Sequence, residues 1–241
     1  MTKININNHD YYVPGEWDQI TKAQLLQLAK LTRTCKTTME IQLKFFLTCV
    51  GGRVDSQING GIYILKIGRQ KHVLFSDEIT ALTSVFDYLF EINENGEMAL
   101  APKLTVNHFK TLRSNLKTLQ GPNDALDNIT YNQFVWLQTY HSFLDAREPQ
   151  YLDELININY KLKNGKQEVK NLKRLDKDVK TVILWYYLGT LSFLSNQFPN
   201  VLSGGSSDGQ EINVFDNQQR IIDSLAAGDF TKKDQIRNSV L

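Results

Sequence analysis

The sequence predicts an α+β protein that is predominantly helical, with short N-terminal β-hairpins followed by a helical bundle. Alternation of polar and apolar residues between turn-forming residues indicates two hairpins, near residues 3–13 and 62–75. Apolar residues at helical spacing follow two capping boxes, which indicates helices that begin at defined positions. A hydrophobic fraction of 41% in 241 residues is typical of a folded core.

The N-terminal part, residues 1–128, is predicted to combine hairpins with helices. Residues 7–10 offer turn chemistry inside the first hairpin. Thr21 and Gln24 form a capping box that starts a helix, and Gly51 with Gly52 ends the next helix. The remaining elements predicted here are the hairpin near 62–75, a helix capped by Ser76 and a short helix over 106–119.

The C-terminal part, residues 129–241, is predicted to be helical. Thr130 and Gln133 form a second capping box, and Pro149 suits the first turn of another helix. The glycine- and serine-rich stretch near residues 203–209 is predicted to be a flexible linker. The other predicted elements are a long helix over about 176–198, an amphipathic helix capped by Gly228 and a last helix from Asp229.

The uncharged stretch of residues 181–198 needs comparison with a membrane span. Its apolar part is about 13 residues long, whereas a helix needs about 20 to cross a bilayer. Serine, threonine, asparagine and glutamine make up much of the rest. We therefore predict a buried core helix and no membrane contact.

The residues that carry most catalytic and metal chemistry are sparse and scattered. The four histidines include no pair at helical ligand spacing, and Cys35 and Cys49 lie outside any CxxC motif. No nucleophile elbow or phosphate-binding loop is present in the sequence. The two cysteines are interpreted as small buried residues. We predict no catalytic residue, no cofactor and no metal, and hence a protein that is not an enzyme.

A nucleic-acid partner is not expected, because the net charge is only +1. The alternative that stays open is a DNA-associated accessory protein that contacts DNA through the lysine-rich segment from Lys161 to Lys180. Three acids, Glu168, Asp176 and Asp178, interrupt its lysines. Binding through phosphates requires several uncompensated cations, so this segment is more typical of a solvated connection.

Large aromatic side chains occupy two of the predicted helices. Trp136 lies on the helix that follows Thr130, and Trp185, Tyr186 and Tyr187 lie at successive positions of the long helix. Successive helical residues point in different directions, so one neighbour cannot cover them all. Either the long helix is central to a bundle, or these four aromatic residues form a partner surface.

The N-terminal sequence resembles that of a known group of phage proteins. Residues 4–7 (ININ) and 12–14 (YVP), then residues 16–21 (EWDQIT) before a leucine-rich helix, resemble tail or baseplate assembly proteins of tailed bacteriophages. The C-terminal half, with residues 185–187 (WYY) and the helix over 221–229, resembles phage and prophage proteins of similar size, especially from Bacteroidetes-type hosts.

This resemblance implies a non-enzymatic function. Such proteins chaperone tail or baseplate components or become part of the structure. The implied partners are other phage structural or assembly proteins, or further copies of the same chain. The implied location is the cytoplasm of the bacterial host, with incorporation into the virion for a structural component.

Overall fold

The structure is a computed structural model that describes residues 1–58, 61–93, 95–114, 117–144, 149–162, 172, 175–197 and 214–240. With 54% helix and 24% strand, it confirms the predicted α+β, predominantly helical class. The chain divides into two compact units, Met1–Leu104 and Thr105–Leu241. The predicted linker near residues 203–209 lies outside the described residues.

The N-terminal unit begins with the predicted hairpin. Strand β1 (Thr2–Ile6) pairs antiparallel with β2 (His9–Val13). Asn7 and Asn8 form the two-residue turn, with φ values of 48° and 66°. Asparagine tolerates this left-handed conformation, which matches the turn to the twist of the strands. The hairpin predicted near residues 3–13 is therefore confirmed.

Two helices follow, and their ends lie where the sequence places them. Helix α1 (Lys22–Thr34) starts with the predicted capping box, in which the Thr21 N–H donates to Gln24 Oε1 at 2.9 Å. Helix α2 (Thr38–Val50) ends at Gly51, whose φ of 66° is left-handed. A residue with a Cβ would be strained there, which explains the glycine.

A three-stranded antiparallel sheet comes next, in the order β3–β4–β5. The hairpin predicted near residues 62–75 is confirmed as β4 (Ile62–Ile67) with β5 (Gln70–Phe75). Strand β3 (Gly52–Ile58) was not predicted. Its only branched apolar residues, Val54 and Ile58, are four positions apart, so its sequence lacks the alternation that predicts a strand.

The rest of the N-terminal unit packs a helix and a small hairpin around its core. Helix α3 (Ser76–Thr83) leads into a 3-10 helix (Ser84–Leu89), then β6 (Phe90–Ile92) and β7 (Met98–Leu100) pair antiparallel. The predicted helix is present and its stripe of apolar residues is buried, but the prediction that Ser76 caps it is wrong. Phe75 is the N-cap, and the Ser76 hydroxyl donates to the Gly61 carbonyl instead. Fully buried side chains of this unit include Ile20, Leu25, Leu28, Phe45, Phe46, Leu65, Ile79, Phe86 and Leu89.

The C-terminal unit contains a second three-stranded antiparallel sheet, in the order β10–β9–β8. Its strands are β8 (Thr111–Ser114), β9 (Lys117–Gln120) and β10 (Lys161–Leu162). Leu112 pairs with Leu119, and both side chains are buried between exposed neighbours. The helix predicted over 106–119 is therefore wrong in this region, because the chain alternates with the period of a strand.

The boundary between the compact units lies between Leu104 and Thr105, whereas the sequence predicted it after residue 128. The intervening segment is tied to the helical half by β9 pairing with β10. The Tyr160 hydroxyl also donates to the Phe109 carbonyl at 2.9 Å. Contacts between residues so far apart in sequence are invisible to a local pattern, which explains the difference.

The described residues of the C-terminal unit form five helices: α4 (Tyr131–Leu144), α5 (Pro149–Asn159), α6 (Lys177–Gln197), α7 (Val214–Ala226) and α8 (Phe230–Asn238). Helix α4 packs against α5, α7 and α8, and α6 contacts α5. The side chains of Lys180 and Asp153, which lie on α6 and α5, form an ion pair at 2.6 Å.

The start of α4 is held from two directions. The predicted capping box is present: the Thr130 N–H donates to Gln133 Oε1 at 3.0 Å, and the Gln133 N–H donates to Thr130 Oγ1 at 3.3 Å. Val240 forms a bridge with Thr130, and the Tyr131 N–H donates to the Ser239 carbonyl. The segment after α8 therefore pairs with the N-terminus of α4.

None of the helices described is both long and apolar enough to cross a membrane. Helix α6 carries the uncharged stretch noted in the sequence. Its side chains Val182, Ile183 and Thr190 are buried within the C-terminal unit, as expected of a core helix.

Candidate interaction surface

The four aromatic residues predicted to form either core or partner surface lie on α4 and α6. Trp185, Tyr186 and Tyr187 are 5%, 1% and 1% exposed, whereas Trp136 is half-buried. The three rings on α6 therefore occupy the interior of the C-terminal unit, as the core interpretation predicts. A partner surface requires side chains on the outside of the chain. A partner contact at Trp136 stays a prediction.

The hydroxyl groups of the two neighbouring tyrosines on α6 differ in their partners. The Tyr186 hydroxyl donates to the Asn123 carbonyl and accepts from the Leu126 N–H at 3.1 Å. The Tyr187 hydroxyl is buried and makes no hydrogen bond of normal geometry among the described residues, although the nearby Asn159 side chain interacts with it weakly. Burial raises the pKa of both hydroxyls, so both stay neutral at physiological pH.

Replacing each tyrosine by phenylalanine should therefore have unequal effects on the free energy of unfolding. Tyr186→Phe leaves the Leu126 N–H and the Asn123 carbonyl without their shared partner, so the free energy of unfolding should fall by about 1–3 kcal/mol. Tyr187→Phe removes a hydroxyl that has lost its water and has only a weak interaction with the Asn159 side chain, so this free energy should change much less. Chemical denaturation of the two variants measures the difference. A larger loss for Tyr187→Phe contradicts the hydrogen bonding described above.

The N-terminal unit has an exposed apolar surface on one face of the β3–β4–β5 sheet. Directly paired residues of neighbouring antiparallel strands point to the same face. Ile62 pairs with Ile58 on one side and with Phe75 on the other, and Ile64 pairs with Val73. These side chains therefore form one cluster. We call it the outer sheet face: Ile58, Ile62, Ile64, Val73 and Phe75.

The two faces of this sheet differ in how far they are covered. Ile58, Val73 and Phe75 on the outer sheet face are 49%, 52% and 55% exposed. Leu65 and Leu74 on the opposite face are 0% and 3% exposed, because that face packs against the core. Single apolar residues are ordinary on protein surfaces, whereas a contiguous cluster marks an interaction site. The outer sheet face is therefore the candidate site.

A row of cations borders the outer sheet face at one end. Arg53 pairs with Lys66, which pairs with Lys71, so the three side chains point to the same side as the apolar cluster. We call these three residues the basic row. Asp55 Oδ2 lies 2.7 Å from Lys71 Nζ, and this bond, with the charges of Lys71, Arg53 and Lys66, lowers the pKa of the Asp55 carboxyl. Three cations and one carboxylate leave a local charge of +2.

The free edge of β3 is interrupted. The pairing register of β3 with β4 shifts between Val54 and Ser56, so Asp55 is the extra residue of a β-bulge. Bulges and charged side chains on an edge strand oppose the addition of another strand. The outer sheet face, and not the edge of β3, is therefore the better docking surface of this sheet.

A chain of hydrogen bonds joins the N-terminal hairpin to the opposite, covered face of β5. The Gln70 amide nitrogen lies 2.6 Å from His9 Nε2, and the amide can only donate, so this ring nitrogen accepts. The other ring nitrogen, Nδ1, then carries the proton and donates to the Asn7 carbonyl at 2.9 Å. The Tyr11 hydroxyl and His72 Nε2 are 2.8 Å apart.

We expect the protein to lose stability as the pH falls below 6.5. His72 is 2% exposed, and its burial, with a smaller effect from His9, lowers the pKa of His72 below the ordinary value of 6.5. At pH values between the lowered pKa of His72 in the folded chain and the ordinary pKa of 6.5 in the unfolded chain, the unfolded chain binds more protons than the folded one. Acid therefore favours unfolding. The melting temperature should be lower at pH 5.5 than at pH 7.5.

A matched variant isolates this contribution. His72→Gln keeps a side chain that can bond with the Tyr11 hydroxyl but does not titrate. We expect a flatter dependence of melting temperature on pH between 5 and 7 in this variant. An unchanged slope contradicts the assignment to His72.

The described residues offer little to thiol or metal chemistry. Cys35 and Cys49 are both free and half-buried, so neither is the fully buried residue that the sequence predicts. Burial raises the pKa of the Cys49 thiol to about 12, so it is protonated at neutral pH and a weak nucleophile. Within the ranges described, no cluster of three or more His, Cys, Asp or Glu side chains could hold a metal ion.

Two shallow depressions of the surface are smaller than the roughly 300–1,000 Å³ of typical small-molecule sites. One, of about 210 Å³, lies in the C-terminal unit and includes Gln133, Asn159 and Lys161. The Gln133 amide there is already occupied, since it caps α4 and donates to the Ile158 carbonyl. The other, of about 270 Å³, lies in the N-terminal unit and is lined by Glu16, Trp17, Asp18, Tyr88, Phe90 and Lys103.

The lysine-rich segment of residues 161–180 is described only in part. Residues 163–171 and 173–174 lie outside the described residues. Lys161 belongs to β10, and Lys180 is neutralised by Asp153, both side chains being mostly buried. Of the described lysines, Lys180 is therefore not free to contact phosphates.

The chain matches no protein-family model, no curated protein and no solved structure.

Proposed function

We propose that this protein is a non-enzymatic assembly or structural protein of a bacteriophage or prophage particle, acting at the tail or baseplate through protein–protein contacts. The observation that carries the proposal is the outer sheet face with its basic row. The N-terminal pattern supports the tail or baseplate assignment: two strands, a proline after the second, a buried Trp17 and the Thr21-capped helix α1. The protein acts in the host cytoplasm, or in the virion if it remains in the particle.

The outer sheet face is large enough to contribute substantially to a complex. Fully burying a Val, Ile or Phe side chain is worth about 1.5–3 kcal/mol. Covering the exposed halves of Ile58, Val73 and Phe75 and the smaller exposed parts of Ile62 and Ile64 is therefore worth roughly 3–6 kcal/mol. A micromolar complex requires about 8 kcal/mol after the cost of association. Charged contacts at the basic row would supply a further part.

The DNA-associated alternative has less support. Its lysine-rich segment includes Lys180, which is paired with Asp153, and the whole chain has a net charge of only +1. At about 150 mM salt, the dissociation constant for duplex DNA should therefore be about 1 μM or higher, as is typical of non-specific binding.

Pairwise co-expression with the products of the genes that flank its own tests the proposal. We expect the full chain to co-purify in a stable complex with a tail or baseplate protein. The purified chain should also elute from immobilised duplex DNA below about 150 mM salt. Absence of any complex, together with sub-micromolar DNA binding at that salt concentration, contradicts the proposal and favours the DNA-associated alternative.

A further inference from the structure

The dimensions of the outer sheet face fit one helix. Strands are about 4.8 Å apart and rise about 3.3 Å per residue, so three strands of six residues present a face about 10 Å wide and 20 Å long. An α-helix is about 10 Å across and covers 20 Å with about 13 residues. A sheet and a helix that each have one apolar face are the usual layers of a protein core. A helix of three to four turns would cover the cluster.

The basic row determines the charge of the occupant. Arg53 and Lys66 form no ion pair within the described part of the chain, and only Lys71 is paired, with Asp55. If a partner covered these cations without placing a negative charge beside them, the cations would lose their hydration and no interaction would replace it. Carboxylates placed at the same end of the face would pair with them and fix the direction of docking.

Other occupants fit the surface less well. The β-bulge at Asp55 interrupts the edge of β3, which disfavours a strand added at that edge. A membrane surface is disfavoured because the outer sheet face has Phe75 but no Trp or Tyr, the residues enriched at lipid interfaces.

We propose that the outer sheet face binds an amphipathic α-helix of a partner protein, with carboxylates in the terminal turn that lies over the basic row. This inference rests on the proposed function and adds the chemistry of the partner. The helix lies along β4, its apolar stripe covers Ile62, Ile64 and Val73, and its acidic end reaches Lys66 and Arg53.

A selection from random 16-residue peptides tests the proposal on the full-length chain. Peptides are selected on the wild-type protein and depleted on the Val73→Glu variant, so the survivors depend on the outer sheet face. We expect apolar residues at positions i, i+3 or i+4, and i+7, with two or more Asp or Glu in one terminal turn. If Val73→Glu does not fold, Val73→Thr replaces it, since threonine keeps the branched shape.

Charge reversal then tests the basic row. The double variant Arg53→Glu with Lys66→Glu should bind the selected peptides about 10- to 100-fold more weakly. Peptides whose terminal acids are changed to lysine should bind this variant at least 10-fold more tightly than they bind the wild type. A proline in the middle of the peptide should abolish binding, because it breaks the helix.

The outcomes separate the partner chemistry from the proposed function. If no selected peptide depends on Val73, the outer sheet face is not a binding surface and the proposed function loses its main support. Three results would contradict the acidic helix: apolar residues at every second position of the Val73-dependent peptides, a lack of carboxylates, or an affinity that charge reversal does not change. In each case the outer sheet face would still be a binding surface. Val73-dependent flotation with phosphatidylserine vesicles, or a wild-type dimer that Val73→Glu dissociates, also overturns the acidic helix.

Discussion

Replacing Trp185 by alanine should lower the free energy of unfolding by about 3–5 kcal/mol, the usual cost of truncating a buried aromatic side chain. Trp185 is 5% exposed, and the next two residues on α6, Tyr186 and Tyr187, are both 1% exposed. Successive helical positions differ in direction by about 100°, so α6 is covered on several sides. The cavity left by the indole ring would therefore be enclosed, and such a loss is a large part of the 5–15 kcal/mol of a typical domain.

Phe193→Ala on the same helix is the matched control. Phe193 is 41% exposed, so its truncation should cost less than half as much as that of Trp185. Urea denaturation followed by circular dichroism measures both variants. A Trp185→Ala protein that unfolds like the wild type yet no longer binds its partner would place this residue in an interface and contradict its role in the core.

Val73→Glu should weaken the complex with the partner protein at least 100-fold while leaving the fold intact. Val73 is 52% exposed, so the free chain tolerates a charged side chain there. In the complex the carboxylate would replace an apolar contact and lie against the apolar stripe of the partner helix, and burying a charge there costs several kcal/mol. A 100-fold loss corresponds to about 2.7 kcal/mol.

Ile92→Glu is the matched control for this prediction. Ile92 lies on β6 of the same unit and is 72% exposed, and it is not part of the outer sheet face. Calorimetric titration should give a nearly unchanged affinity for this variant. Equal losses for both variants would show a general effect of added negative charge, and no loss in either would remove the outer sheet face from the interface.

The parts of the fold that were predicted correctly depend on local chemistry. The side chains of Thr21 and Thr130 each bond with a backbone N–H three residues on, and Gly51 adopts a conformation that other residues avoid. Such signals need no knowledge of the rest of the chain. Helix starts, helix ends and the tight turn of the first hairpin could therefore be read directly from the sequence.

The errors occurred where distant pairing outweighs the local pattern. Val106, Phe109 and Leu112 recur every three residues, a spacing that favours a helix. In the structure Leu112 instead pairs with Leu119, and β9 is held by β10 some forty residues further on. Tertiary contacts of this kind override intrinsic propensity.

The outer sheet face could be predicted only in part. Ile62, Ile64, Val73 and Phe75 all belong to a hairpin that the sequence predicts. A run that is apolar on both faces is typical of a strand buried on both sides, so the sequence alone does not reveal that one face is open. Ile58 was missed because β3 itself was not predicted. The spread of aromatic residues around α6 leaves two interpretations open, a core helix or a partner surface, and the burial of Trp185, Tyr186 and Tyr187 agrees with the first.

Hydroxyl-radical footprinting of the free chain and of its complex tests most directly whether the outer sheet face is the binding surface. The method reports the solvent access of individual side chains, and Phe75 is 55% exposed in the free chain. Its oxidation rate should fall several-fold in the complex, whereas that of Phe230, which is 79% exposed on α8, should not change. Equal oxidation of Phe75 in the free and bound chain, with protection of Phe230 or Trp136 instead, would contradict the account.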